Sequence, residues 1–143
     1  MPELMEAARV LGVETRAKPL KSGVAYLDLV GHGLPVKSLD RIAQAVAPGD
    51  SNFKYRMVPK ASLARSRTSR RLTAAQSVAV ARLASAWSQA LRIWKSESGA
   101  RDFLNREHPL LAGRRPIDLV LENEIGAGLV RDVLGRLEYG SAV

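Results

Sequence analysis

The sequence predicts an all-α protein, and three observations carry that reading. No segment sustains the two-residue alternation of a half-buried strand. Apolar residues recur at helical spacing through most of the chain, and prolines and glycines cut it into helix-length pieces. The 143 residues fall within the roughly 100–200 of one domain, with room for two small subdomains. Apolar residues make up 46% and charged residues 25%, a globular balance, while aromatics at 5% leave the core to Leu, Val, Ile and Ala.

Taken in order, Pro2 opens a short helix with Leu4, Ala8 and Leu11 on one face, and Gly12 stops it. Val13 to Lys21 is polar, holds Pro19 and reads as a linker. Ser22 caps a second helix over Gly23 to Val30, and Gly31-His32-Gly33 reads as a turn. Pro35 opens a third, in which Val36, Leu39, Ile42, Ala43 and Val46 form a buried stripe. Pro48-Gly49 ends it, and Asp50 or Ser51 caps a short helix through Met57. After the break at Val58-Pro59 comes a basic helix, Lys60 to Arg71, with Leu63 and Ala64 toward the core. A short helix, a tight break and a donor-rich second helix are the order a helix-turn-helix DNA reader requires.

Thr73-Ala74-Ala75-Gln76 is a capping box, and it opens the longest helix, to about Ser96. There Val80, Leu83, Ala84, Trp87, Leu91 and Trp94 share a stripe, so both Trp read as core or helix–helix packing. Ser98 caps a short helix over Ala100 to Arg106, His108-Pro109 and Gly113 turn the chain, and Pro116 starts another helix through Leu121. The last helix, Glu124 to Tyr139, buries Leu129, Val130, Val133, Leu134 and Leu137 and ends at Gly140 in the C′ position. Gly126-Ala127-Gly128 reads as close helix packing. Three segments result: residues 1–21, a helix and linker; 22–71, the helix-turn-helix region; and 72–143, a helical domain.

Charge points to a partner. The net +8 is concentrated in residues 51–101, where eleven basic side chains face Glu97 alone; residues 1–50 are neutral and 102–143 slightly acidic. So many cations in one third of a chain suit a polyanion, and nucleic acid is the commonest. Within the basic helix, Arg67, Arg70 and Arg71 share a broad face. Lys60, Ser62, Arg65, Arg67, Arg70 and Arg71 are the candidate DNA contacts, with Ser66, Thr68 and Ser69 as further short donors. A solvated helix face and an Arg/Ser-rich linker are the other readings of the same composition.

Catalysis is not indicated. No cysteine is present, which removes thiol chemistry, zinc–thiolate sites and iron–sulfur clusters. His32 and His108 lack a partner at metal-ligand spacing, and Asp118, Glu122 and Glu124 complement the last helix's start. The expectation is a non-enzyme with no metal and no cofactor. With neither a signal peptide nor a membrane span, it is expected in the cytoplasm.

Several motifs coincide with a known family. They are Leu72-Thr73-x-x-Gln76-Ser77 with Arg82-Leu83-Ala84, and Phe103-Leu104 before His108-Pro109-Leu110-Leu111-x-Gly113-x-x-Pro116-x-Asp118-Leu119. The last is Gly126-x-x-x-Val130-x-x-x-Leu134-Gly135-Arg136-Leu137-Glu138-Tyr139-Gly140. From about Gly33 to Gly140 the chain resembles the Xre/MbcA/ParS antitoxins paired with RES-domain toxins in type II toxin–antitoxin systems. The resemblance implies an Xre-like helix-turn-helix region that binds the operator of its own operon. It also implies a C-terminal helical domain that binds the toxin and supplies the homodimer contact. Toxins of this class consume NAD, and the antitoxin's end lies at the NAD pocket, which places Leu137, Glu138, Tyr139 and Gly140 at the occluding end. Where the family commonly has Thr-x-x-Arg-Arg in the second helix, this chain has Ser62-Leu63-Ala64-Arg65-Ser66-Arg67. The alternative is a stand-alone regulator whose C-terminal domain only dimerises.

Overall fold

The computed structural model describes residues 2–140, and among them helices and turns account for all regular structure apart from two isolated bridges. Two compact units divide at Ser85/Ala86. The first holds α1 (Pro2–Val10), α2 (Gly23–His32), α3 (Val36–Val46), a 3-10 turn at Phe53–Arg56, α4 (Lys60–Ser69) and the start of α5 (Ala74–Trp94). The second holds the rest of α5, α6 (Glu97–Asn105), a 3-10 turn at Pro109–Leu111, α7 (Pro116–Glu122) and α8 (Glu124–Glu138). Segments drawn from composition divide at 71/72; the compact units divide inside α5, after Ser85. No helix of the described residues is long and apolar enough to cross a membrane.

In the first unit the expected stripe of α3 is buried, with Leu39 and Ile42 fully so. Ser38 joins them because its hydroxyl donates to the Leu11 carbonyl at 2.8 Å, tying α3 to the end of α1. α2 starts as expected, with Ser22 Oγ accepting from the Ala25 amide at 3.2 Å. It continues through Gly31 to His32, however, so the turn read at Gly31-His32-Gly33 is Gly33 alone. The reason is local: Gly33 has φ +107°, and a Cβ there would lie 2.2 Å from the Leu72 carbonyl oxygen. The chain segments meet at that point in an antiparallel bridge, Leu72 N–H to Leu34 C=O at 2.8 Å and Val36 N–H to Arg70 C=O at 3.2 Å.

The short helix expected up to Met57 is a 3-10 turn, entered through Asp50, whose Oδ1 accepts from Asn52 N–H at 2.9 Å. The basic helix α4 is shorter than its composition suggests. It stops at Ser69, and Arg70 adopts φ +66°. The Ser69 hydroxyl lies 3.1 Å from both the Ser66 and Arg71 carbonyls. Meanwhile Arg70 and Leu72 are drawn into the bridge. Arg70 and Arg71 therefore do not continue the face of Arg67. Leu63 is buried as expected, but Ser66, not Ala64, accompanies it.

Tyr26 on α2 is buried with its hydroxyl unpartnered, and burial pushes its pKa up to about 12. Below pH 10 both folded and unfolded chains hold the proton, so stability is level there. Between pH 10 and 12 only the unfolded chain ionises at this site, and stability falls. Tyr26→Phe is expected to leave stability at pH 7 unchanged or raised by about 1 kcal/mol and to flatten part of that alkaline loss. Chemical denaturation at pH 7 and pH 11 checks both.

In the second unit Trp87 is 2% exposed, with the Arg101 guanidinium 5.8 Å from its ring centroid. Trp87 takes the core position, and Trp94 the helix–helix packing: 37% exposed at the end of α5, it stacks on Phe103 of α6 at 4.8 Å. Lys95 turns the chain at φ +58°. The next cap is Ser96 rather than Ser98, its hydroxyl accepting from Gly99 N–H at 3.0 Å, so α6 begins earlier than expected. His108 Nδ1 accepts from Leu110 N–H at 3.1 Å and closes the following 3-10 turn. In α8 the buried residues include Val130, Val133 and Leu134, whereas Leu129 and Leu137, read as part of the same face, are exposed.

Candidate functional site

Two places gather the residues singled out in the sequence, one in each unit. The first surrounds α4. Lys60 stands at its start, its Nζ 5.6 Å from the Tyr55 ring centroid, and Lys54 approaches the same ring at 5.5 Å, so the ring organises two cations before the basic helix. Arg65 is exposed and, among the described residues, donates to the Ser62 hydroxyl at 3.3 Å. Arg67 points elsewhere: both its terminal nitrogens meet the Asp40 carboxylate, at 3.2 and 3.3 Å. That hydrogen bonding raises the pKa of Arg67 further above its ordinary value. Arg70 is the left-handed residue after the helix, and Arg71 donates through Nη1 to the Gly33 carbonyl at 2.7 Å.

Of the six candidate DNA contacts, the fold thus brings Ser62, Arg65 and Arg71 to one cleft. Lys60 stands apart on Tyr55, and Arg67 is held by a carboxylate. Ser66 was read as a phosphate donor; it is buried and donates instead to Gln76 Oε1 at 3.0 Å. Gln76 also accepts from Thr73 N–H at 2.8 Å, while Gln76 N–H donates to Thr73 Oγ1 at 3.1 Å, so the capping box forms as its spacing predicts. Asp40 was not singled out from sequence. It lies 27 residues from its partner, and nothing local marks the pairing.

The second place is the end of α8. Glu138 is half-buried and committed, its Oε2 2.7 Å from Arg92 Nε and its Oε1 3.4 Å from Arg92 Nη2, which fastens the helix end to α5. Its neighbours face outward: Leu137 is 45% exposed and Tyr139 79%. Gly140 follows at φ +63° with open space around it. Ser141, Ala142 and Val143, which lie beyond the motif, are outside the described residues. The start of α8 is packed far more tightly, since a Cβ on Gly126 would lie 2.1 Å from the Leu119 carbonyl oxygen. The carboxylates nearby are matched one by one: Asp118 with Arg115 at 3.0 Å, Glu122 with Arg114 at 2.8 Å and Glu124 with Arg131 at 2.8 Å. That is a set of surface ion pairs, and each contributes little to stability.

Residues 89–140 match the family model of the antitoxin Xre/MbcA/ParS C-terminal toxin-binding domain. No curated protein matches the chain. The matched stretch begins just inside the second compact unit, which starts at Ala86, and ends at Gly140, the last residue of the outward-facing helix end. This part of the chain is similar to the toxin-binding part of an antitoxin.

Proposed function

We propose that this protein is the antitoxin of a type II toxin–antitoxin system. In this reading its second unit binds a RES-domain, NAD-consuming toxin, and Leu137, Glu138, Tyr139 and Gly140 occlude the toxin's NAD pocket. The observation that carries the proposal is the match over residues 89–140, coincident with a compact unit whose last helix ends in an exposed aromatic. The roles of the four residues differ. Glu138 fastens the helix end through Arg92, so that Tyr139 is presented from an anchored turn. Leu137 and Tyr139 supply apolar and aromatic surface, the kind that anchors interfaces. Inhibition by occupancy requires no reaction from the antitoxin, which accords with the absence of a catalytic constellation in the sequence.

The first unit, in the same reading, represses the operon by binding operator DNA through Lys60, Ser62, Arg65, Arg67, Arg70 and Arg71 around a helix-turn-helix. The concentration of positive charge in residues 51–101 supports it. The protein acts as a homodimer within a larger toxin–antitoxin complex; Ile125, 77% exposed, and Leu129 on α8 offer apolar surface for such contacts.

Co-expression of the tagged chain with the RES-domain protein encoded beside it tests the proposal. The expected result is a complex that survives affinity purification, with normal growth and preserved cellular NAD. Growth arrest and NAD loss with nothing co-purified would overturn it and leave a DNA-binding dimer.

A further inference from the structure

Helix α2 carries an apolar face that its own chain leaves uncovered. Val24 is 65% and Leu27 66% exposed, the most exposed large apolar side chains described in the first unit. They stand three residues apart and Gly31 follows four further on, so all three share one face of the helix. Glycine is among the poorest helix formers, yet a Cβ at Gly31 would meet no other part of this chain within 4 Å. Packing inside the chain therefore gives no reason for the missing side chain. Asp28 borders the same face. It is the one Asp, Glu, Lys or Arg of α2, and among the described residues its carboxylate has no ion-pair or hydrogen-bond partner. Beside it runs an open groove lined by Ala25, Asp28, Leu29, His32 and Arg71.

We propose that α2 is an interface between two copies of this chain, packed antiparallel about a twofold axis that passes between Leu27 and Asp28. The face is its own complement, as a twofold contact requires. Such a pairing lays Val24 of each copy over its partner's Gly31, where the absent side chain lets the two helices approach closely. Leu27 then packs against its partner's Leu27. Antiparallel pairing also turns the Asp28 flank of one copy toward the same flank of the other. Each flank holds Arg71 as well as Asp28, so carboxylates and guanidiniums meet crosswise. Charge selects the occupant. Nucleic acid or an acidic protein is drawn to the cations of a chain of net charge +8, whereas α2, with Asp28 alone, is where two such chains meet with little repulsion. A homodimer is part of the reading above, where α8 supplies its apolar contacts; the α2 face lies in the other unit and is argued without toxin or DNA.

The full-length protein, purified alone, is followed by sedimentation velocity over a concentration series, and a dimer is expected. Leu27→Asp should weaken it roughly 100-fold or more, because the buried charge enters once from each copy. Gly31→Leu is the sharper variant. It adds apolar surface and fits the open space of the single chain, yet it should weaken the dimer roughly 10-fold or more by holding the helices apart. Circular dichroism of both variants should match the parent. The chain has no cysteine, so Leu27→Cys places one thiol on each copy. Mild oxidation should link it into a dimer, while Asn52→Cys, exposed outside α2, should stay unlinked. A parent that remains monomeric overturns the interface and the homodimer together. A dimer indifferent to Leu27→Asp but dissociated by Ile125→Asp overturns the α2 face and leaves the homodimer on α8. Tighter association of Gly31→Leu overturns the close packing at that glycine. Toxin capture on co-expression is scored separately: its survival in a monomeric Leu27→Asp variant is the expected pairing. Its loss in a variant that still sediments like the parent would give the face to the toxin and overturn the interface between copies.

Discussion

Ended after Glu138, the chain is expected to lose neutralisation of the toxin while binding duplex DNA as the full-length protein does. The cut keeps the Arg92–Glu138 pair that holds the end of α8, so the helix stays fastened, and it removes Tyr139, the most exposed large side chain described in that region. Tyr139→Ala isolates the ring. A buried aromatic anchor at an interface is worth about 2–4 kcal/mol, so toxin affinity should fall roughly 30- to 1000-fold. The two variants are compared by growth and cellular NAD on co-expression, and by salt-dependent duplex binding. Full protection by the truncated chain would sink the occlusion mechanism. Glu138→Ala gives the companion result: the aromatic remains but its anchor is lost, so inhibition should weaken less than with Tyr139→Ala.

The helices were legible in the sequence because their signals act within a few residues. Ser22 and the Thr73–Gln76 box cap as their spacing says, and the α3 stripe is buried as its period says. What the sequence did not disclose depends on distant partners. Arg67 and Asp40 are 27 residues apart, and Arg92 and Glu138 are 46 apart. The basic helix ends at Ser69 because a bridge to Pro35 claims the backbone on either side of Arg71, and no residue near Arg70 announces that. Ser66 looked like a surface donor for want of any local sign that Gln76 would take its hydroxyl. Trp87 and Trp94 occupy the same stripe by period, and the fold takes both readings of it, Trp87 in the core and Trp94 packed on Phe103 of α6. For the sites, the charge count located the cationic region, but the fold commits Arg67 to Asp40 and turns Arg71 back to the Gly33 carbonyl.

Gly126→Ala should be the most damaging small substitution in the second unit. Alanine ordinarily favours a helix interior over glycine by about 1 kcal/mol. Here its methyl would stand 2.1 Å from the Leu119 carbonyl oxygen and 2.8 Å from its carbon, both backbone atoms that cannot swing aside. Either α7 and α8 move apart or the first turn of α8 unwinds, and Asn123 would then lose its cap to the Gly126 amide at 3.0 Å. A net loss of about 3 kcal/mol is expected, at the upper end of what overpacking costs. Gly128→Ala is the internal control: the same helix and the same propensity gain, but its Cβ would meet only Arg131 Nη2, at 3.8 Å. It should stabilise by up to about 1 kcal/mol. Urea denaturation with hydrogen exchange at α7 and α8 distinguishes the two. Opposite signs at two glycines so close in one helix would show that the α7–α8 contact, rather than helix propensity, holds the surface from which Leu137 and Tyr139 project. Equal, small effects would mean that α7 and α8 do not meet at Gly126 and that the anchoring of the helix end rests on Arg92 and Glu138 alone.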